Sequence, residues 1–374
     1  MTNPPTTNRI VTRMMNVILA TVFLVLLWLP TLDTFFHFDQ TPAFNEKRLP
    51  AQFPRFNSGF AGLKKYVGGL EAYFNDHFGF RSQLIHWHAR WQLEFFNIGR
   101  TDVMIGKEGY LYFDEVGMHM IEHYQGTLQF SPQELAALQQ LHEYRRDWLA
   151  QRGIQYLFVV VPDKQSIYPE YLPSWLKAGR QHTKLDQFVS YMHGHSTVMV
   201  LDLRPALRAA RRIAPTYYKT DSHWNFFGGY VASEEIIKAL SGKIPGLAPL
   251  PLDSFELKKE KLERGDLTTM LGVYADEDYF ALLPKTNLPP LVETVQNPEF
   301  RVPTYYTCNT NASGSCVVFR DSFGPNLQPF LGYHFKTVGY FWGPGGFETN
   351  IIEKMKPDVV ISEIVERHFN YPGK

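Results

Sequence analysis

Hydrophobic positions form one long uninterrupted run near the N-terminus and afterwards fall into helical and strand-like periods. From Met14 to Leu32 the chain is apolar, and between Val17 and Leu29 it carries neither charge nor proline, close to the length of a bilayer-spanning helix. Arg9 and Arg13 precede this run while Asp33 and Asp39 follow it, which predicts a cytoplasmic N-terminus with the rest of the chain outside. The stretch after Leu29, Pro30-Thr31-Leu32-Asp33, has no small-x-small cleavage site. An uncleaved, single-pass signal-anchor helix is therefore expected. Residues 39–57 are rich in Pro and turn formers and read as an extended connection. Leu63, Tyr66, Val67, Leu70, Phe74, Leu84, Trp87, Trp91 and Phe95 then recur at helical spacings, predicting a helix from Phe60 to Phe96.

Beyond residue 100 the two periods alternate. Val103 to Phe113 reads as a hairpin, two apolar runs around a glycine-bearing turn. Ser131-Pro132-Gln133-Glu134 is a capping box that should start a helix running to about Gly153. Tyr156 to Val161 reads as a buried strand, Thr183 as the cap of a helix, Val198 to Leu201 as a strand and Phe226 to Leu240 as a helix. Cys316 to Phe319, Thr337 to Phe341 and Val359 to Ile364 supply further strands. Short apolar strands separated by helices predict an α/β fold with a parallel sheet covered on both faces, functional groups gathering beyond the carboxyl ends of the strands. Gly242 to Pro303, rich in Pro and Lys, reads as an irregular insertion whose one compact turn is Gly265-Asp266-Leu267. The expected organisation is an anchor over 1–38, a connection and helical segment over 39–100, and an α/β domain over 101–374.

Composition narrows the function classes. A chain of 374 residues with 44% hydrophobic content can build a substantial core, and 37 basic against 37 acidic residues leave no net charge to hold a nucleic acid. No GxGxxG, Walker or HExxH pattern supports a dinucleotide, nucleotide or zinc-protease reading. His77, His86, His88, His119 and His123 lack the companions of a metal site, so neither metal nor cofactor is expected. Cys308 and Cys316 fit no zinc spacing; they read as a bridge restraining the segment ahead of the Cys316 strand, or as two free thiols. Aromatics at 15% suit sugar stacking and a large core equally.

Two short stretches carry candidate chemistry: Thr220-Asp221-Ser222-His223-Trp224-Asn225 and Phe319-Arg320-Asp321-Ser322-Phe323-Gly324. A serine hydroxyl becomes a nucleophile near neutral pH when an imidazole takes its proton, and the imidazole needs an acceptor on its other nitrogen. Asp221 and His223 could be orienter and base. Side chains two apart point the same way only outside a helix, so this stretch should be irregular. Ser322 follows a buried strand, and Gly324-Pro325 opens a helix where backbone N–H groups converge. By spacing alone, Asp-x-His also serves as an ordinary turn or cap.

The segments NDHFGFR at Asn75 to Arg81, VMIGKEGYLYF at Val103 to Phe113, VPDKQSIYPEYLP at Val161 to Pro173, TDSHWN at Thr220 to Asn225, GDL at Gly265 to Leu267, RDSFG at Arg320 to Gly324 and PDVVISEIVER at Pro357 to Arg367 together resemble one family. It is the extracytoplasmic polysaccharide O-acetyltransferases of the alginate-acetylating AlgJ and AlgX type, which carry an SGNH-hydrolase-like domain. The resemblance implies a circularly permuted SGNH-like fold and a triad of Asp221, His223 and Ser322. Tyr110 stands where the family often has Trp. No carbohydrate-binding module follows the domain, which resembles the anchored AlgJ type. Also implied are an acetyl-serine intermediate, an exported polysaccharide as acceptor, a multispanning membrane acyltransferase as acetyl donor, and an inner-membrane anchor with the catalytic domain in the periplasm. Two other classes remain open: a carbohydrate acetylesterase using water with the same triad, and a non-catalytic polysaccharide assembly or export protein.

Overall fold

The computed structural model describes residues 6–36, 38–39, 50–56, 59–91, 102–114, 119–176, 182–296 and 304–370. The chain divides into two compact units, Met1–Ile98 and Gly99–Lys374. In the first, α1 (Thr6–Phe36) contains the apolar segment Val11–Thr34, long and hydrophobic enough to cross a membrane. The helix expected from Phe60 onward is broken into α2 (Phe60–His77) and α3 (Arg81–Trp91). Phe80 between them has φ 60°, a conformation unfavourable for a bulky residue, and its N–H donates to Asp33 Oδ2 at 2.9 Å. A helical period tolerates such a break because the apolar positions resume in phase on the far side. The rest of the expected helix, with Phe95 and Phe96, and most of the 39–57 connection lie outside the described residues.

The second unit opens with the hairpin β1 (Val103–Ile105) and β2 (Leu111–Phe113), antiparallel as the glycine-bearing turn predicts. There follow α4 (Met120–Gln125), α5 (Pro132–Ala150), β3 (Gln155–Val161), α6 (Lys164–Ile167), α7 (Lys184–His195), β4 (Met199–Asp202), α8 (Arg204–Ala210) and α9 (Phe226–Ser241). Next come β5 (Phe255–Leu262), α10 (Asp266–Leu271), β6 (Glu277–Pro284), β7 (Val292–Gln296) and β8 (Thr304–Cys308). The last elements are β9 (Ser315–Arg320), α11 (Gly324–Leu331), β10 (Thr337–Trp342), α12 (Thr349–Met355) and β11 (Val359–Val365). Ser131 and Thr183 both form full capping boxes ahead of α5 and α7.

The main sheet has the order β4-β3-β11-β9-β10-β8-β7. Strands β4, β3, β11, β9 and β10 run parallel, while β8 and β7 extend the β10 edge antiparallel. Residues such as Val159, Val318 and Ile361 face one core with Leu207, Phe227 and Ile236. Their alternates Val160, Val317 and Val360 face another with Leu149, Phe188 and Ile352. Each such side chain contributes about 1.5–3 kcal/mol by leaving water, which fixes strand register because a one-residue slip would exchange the two cores. Tyr110 is buried in the first core and stacks on Tyr171, ring centroids 4.0 Å apart.

Two expectations are corrected here. The stretch from Gly242 to Pro303 carries regular elements between its turns: β5 and β6 form a two-stranded antiparallel ribbon, α10 joins them, and β7 adds to the main sheet. Half of the β5 side chains, Glu256, Lys258, Lys259 and Lys261, are exposed and charged, so no buried apolar run announced it. The other concerns Cys308 and Cys316, which are both free. Strand β10 lies between them, Thr337 pairing with Cys308 and Val338 with Cys316. Two strand spacings put their Cα atoms about 9–10 Å apart, beyond the roughly 7 Å that a disulfide spans.

Candidate active site

The segment from Thr216 to Asn225 folds back on itself between α8 and α9. Tyr217 and Trp224 make an isolated antiparallel bridge, Asn225 N–H donates to Thr216 O at 3.0 Å, and Tyr218 N–H donates to His223 O at 3.3 Å. Asn225 ends the loop as N-cap of α9, accepting from Gly228 N–H at 3.0 Å. Gly228 and Gly229 let neighbours approach, since a Cβ would fall 2.2 Å from Thr216 O and 2.0 Å from Asn326 O. The loop is irregular, as the Asp-x-His spacing requires. His223 Nδ1 lies 2.7 Å from Asp221 Oδ1, and the same oxygen accepts the His223 backbone N–H at 2.9 Å.

The supposed insertion braces this dyad. Asp266, at the start of α10, donates its N–H to Asp221 Oδ2 at 2.8 Å. Its own carboxylate accepts Ser222 N–H at 2.7 Å and Ser222 Oγ–H at 2.6 Å. Glu277, at the start of β6, accepts Lys219 N–H at 2.6 Å, Thr220 N–H at 2.8 Å and Thr220 Oγ1–H at 2.5 Å. Buried Lys164, just beyond β3, donates to Leu111 O at 2.6 Å and Lys219 O at 2.9 Å, and burial lowers its ammonium to about 8. Both oxygens of Asp221 are thus occupied. Burial alone would raise its carboxyl, but the His223 ring and the N–H donors outweigh that and hold it at about 2. Burial likewise opposes a charge on His223, but the hydrogen bond that its ring donates to Asp221, with the fields of Asp221 and Asp266, raises the imidazole above its ordinary value.

Ser322 is exposed, two residues past the end of β9. The turn that presents it is set by Asp321, fully buried, whose carboxylate accepts Phe323 N–H at 2.9 Å and Val365 N–H at 2.7 Å while its own N–H donates to Glu363 Oε2 at 2.8 Å. Burial, with the field of Asp321 added to it, pushes the Glu363 carboxyl well up. Residues that follow Ser322 meet the dyad loop. The Phe323 ring lies 4.7 Å from the His223 ring, Trp224 Nε1–H donates to Phe323 O at 3.0 Å, and Asn326 Nδ2–H donates to Trp224 O at 2.6 Å. Arg367, ion-paired with Asp163, sits 5.4 Å over the Phe323 ring.

Asp221 and His223 therefore form a hydrogen-bonded pair, and Ser322 stands on the turn packed against it. Among the described residues no hydrogen bond joins Ser322 Oγ to His223, and His223 Nε2 has no partner. In unliganded sites this contact is commonly loose. With Asp221 holding Nδ1–H, Nε2 carries the lone pair a general base needs. Asp221, His223 and Asp266 also bring three potential metal-ligand atoms within 4.8 Å of one another, although their carboxylate oxygens are already taken up by the hydrogen bonds above. Sequence reading reached Asp266 only as part of a turn and passed over Glu277 and Asp321. Their contacts cross 44, 58 and 42 residues, and no local spacing encodes them.

Comparison with known proteins bears on the same region. The chain is 28% identical over 225 residues to a probable alginate O-acetylase AlgJ of Pseudomonas syringae pv. tomato, covering 59% of this chain and 54% of that protein. It is 24% identical over 267 residues to the probable alginate O-acetylase AlgJ of Pseudomonas fluorescens, covering 70% and 60%. The chain thus spans about half the length of the curated relatives it matches. Among solved structures, PatB1 of Bacillus cereus superposes with a TM-score of 0.51 at 16% identity, covering 71% of this chain and 95% of that one, a likeness of fold. The family model of the SGNH hydrolase-like domain of the acetyltransferase AlgX matches residues 103–346, which include Asp221, His223 and Ser322. Through that domain, which makes up more than half its length, the chain belongs to the AlgX family of SGNH-hydrolase-like acetyltransferase domains.

Proposed function

We propose that the chain is a membrane-anchored O-acetyltransferase that acetylates an exported polysaccharide on the extracytoplasmic side, by way of an acetyl-serine at Ser322. The observation that carries this is the Asp221–His223 pair with a partnerless Nε2, packed through Phe323 against an exposed serine. His223 Nε2 takes the Ser322 Oγ proton as the oxygen attacks the acetyl carbonyl of the donor. The oxyanion forms next to the Ser322 backbone N–H, and the leaving group departs with the proton from His223. In the second half His223 takes a proton from a sugar hydroxyl, the hydroxyl attacks the acetyl-serine, and the tetrahedral adduct collapses to the sugar acetate. Ser322 regains its proton from His223. Asp221 holds the tautomer throughout and stabilises the imidazolium. The donor is assigned to a multispanning membrane acyltransferase, and the acceptor class follows the relatives named alginate O-acetylase. To test this, the protein is incubated with a chromogenic acetyl ester, with and without an oligosaccharide. Transfer to the sugar that disappears in Ser322→Ala supports the reading; hydrolysis to water alone, at an unchanged rate when sugar is present, points to an esterase. Unchanged polymer acetylation in cells whose only copy carries Ser322→Ala would exclude the enzyme reading.

A further inference from the structure

Trp342 is the last residue of β10, and it is 45% exposed at the carboxyl edge of the parallel strands. In the parallel ladder it lies opposite Arg320, two residues ahead of Ser322. Alternation along β10 puts Val338, Tyr340 and Trp342 on one face, and Val338 and Tyr340 share their core with Trp224 and Phe323. Trp342 thus stands on the face of the sheet that carries the His223 loop. Strand β9 ends at Arg320 and two residues of chain reach at most about 7 Å, so with strands about 4.8 Å apart the Cα of Ser322 lies within about 12 Å of that of Trp342.

The indole is held in place. Arg320 is buried, its guanidinium 5.4 Å from the Trp342 ring and 5.7 Å from the Tyr305 ring. Its methylenes run against Gly324 at the start of α11, where a Cβ would come within 2.5 Å of Arg320 Cδ, and Gly343 N–H closes on Arg320 O at 2.9 Å. A large flat side chain fixed at a strand end yet left in water adds little to the core. It supplies a rigid apolar face beside the nucleophile at small entropic cost.

We infer that Trp342 is the stacking platform of an acceptor subsite, taking the C–H face of a pyranose ring of a polysaccharide and aiming hydroxyls of that ring or its neighbour at Ser322. This rests on the acetyl-transfer reading and adds where the acceptor sits. It also accounts for how sugar competes with water for an acetyl-serine, since a stacked ring raises the local concentration of its hydroxyls and covers the exposed approach.

The full chain is assayed as wild type, Trp342→Phe and Trp342→Ala. The platform predicts that Trp342→Ala raises the KM for an oligosaccharide acceptor by about tenfold or more while kcat changes much less, and that Trp342→Phe recovers most of the loss. A binding arm needs no turnover. Fluorotryptophan-labelled protein carrying Ser322→Ala, with the Trp342 resonance assigned by its absence in Trp342→Phe, is titrated by fluorine NMR with a uronic-acid oligosaccharide and with a neutral one. A saturable shift of the Trp342 resonance with either sugar supports the subsite, and the sugar that causes it gives the charge class. An unmoved resonance with both sugars, or an unchanged acceptor KM in Trp342→Ala, overturns it. Activity that survives in Ser322→Ala would instead defeat the acetyl-serine reading and leave the titration result standing on its own.

Discussion

A carboxylate two residues ahead of a histidine does nothing on a helix and a great deal in a tight loop, and the pair Asp221–His223 is of the second kind. Its electrostatics set a pH dependence whose sign is determined. His223 acts as a base only when neutral, and its imidazole is raised above the ordinary 6.5, so kcat/KM should rise with pH through an apparent value above 6.5. Asp221→Asn removes the carboxylate charge, which lowers that limb, and puts an amide that can donate beside Nδ1, which favours the wrong tautomer. It should cut turnover by about 10³–10⁴-fold with the fold retained, as measured by initial rates across pH alongside circular dichroism. The same pair contributes to stability. Asp221 is held at about 2 against an ordinary 3.8, so its contribution is present above the unfolded value and lost as pH falls toward 2. For His223 the sign is opposite: its contribution is complete below the unfolded imidazole value and lost as pH rises through the raised folded one. Denaturant midpoints for wild type and Asp221→Asn should therefore converge in acid.

At the scale of elements, the ribbon β5–β6 and α10 are part of the site. Asp266 ties Asp221 and Ser222 together, and Glu277 ties Lys219 and Thr220. Asp266→Ala frees the dyad loop without touching a reacting atom, and a displacement of about 1 Å costs on the order of 10²-fold in rate. The loss should fall on kcat, and Asp266→Asn should recover part of it by keeping an acceptor for Ser222. An unaltered kcat in Asp266→Ala would separate α10 from the site. Glu277→Ala strands two backbone N–H groups and should cost about 1–3 kcal/mol in denaturant unfolding. The elements that reading the sequence foresaw include the hairpin β1–β2, the strands β3, β4, β9, β10 and β11, and the helices α5, α7 and α9, whose apolar runs, turns and caps are local signals. The exposed ribbon and the antiparallel strands β7 and β8 lacked such a signal. For β7 all five side chains are exposed, so nothing in its pattern distinguishes it from a loop. The residues of the proposed triad were legible because each lies in a short dense motif. The braces were not, since a carboxylate that accepts from a loop dozens of residues away looks like any surface acid.

On the scale of the molecule, an α/β domain of the AlgX family is preceded by a helix over Val11–Thr34 long enough to span a bilayer. If that helix holds the domain on the outer side, a reporter at the C-terminus active only outside the cytoplasm should report there, and one active only in the cytoplasm should stay silent. Deleting residues 1–38 should release the protein from membranes, keep turnover of a soluble acetyl ester and abolish polymer acetylation in cells, because the domain would lose its proximity to a membrane-bound donor. Loss of ester turnover in the released protein, with its fold intact, would tie the anchor to the chemistry itself. The central claim is that acetyl passes through Ser322, and peptide mass spectrometry of the full chain, acid-quenched during turnover of an acetyl ester, tests it most directly. The account predicts an added acetyl group on the peptide containing Ser322, absent in Ser322→Ala and in His223→Ala, and discharged when an oligosaccharide acceptor is added before the quench. Sustained turnover with Ser322 unmodified, or an acetyl group that the acceptor does not remove, would contradict it.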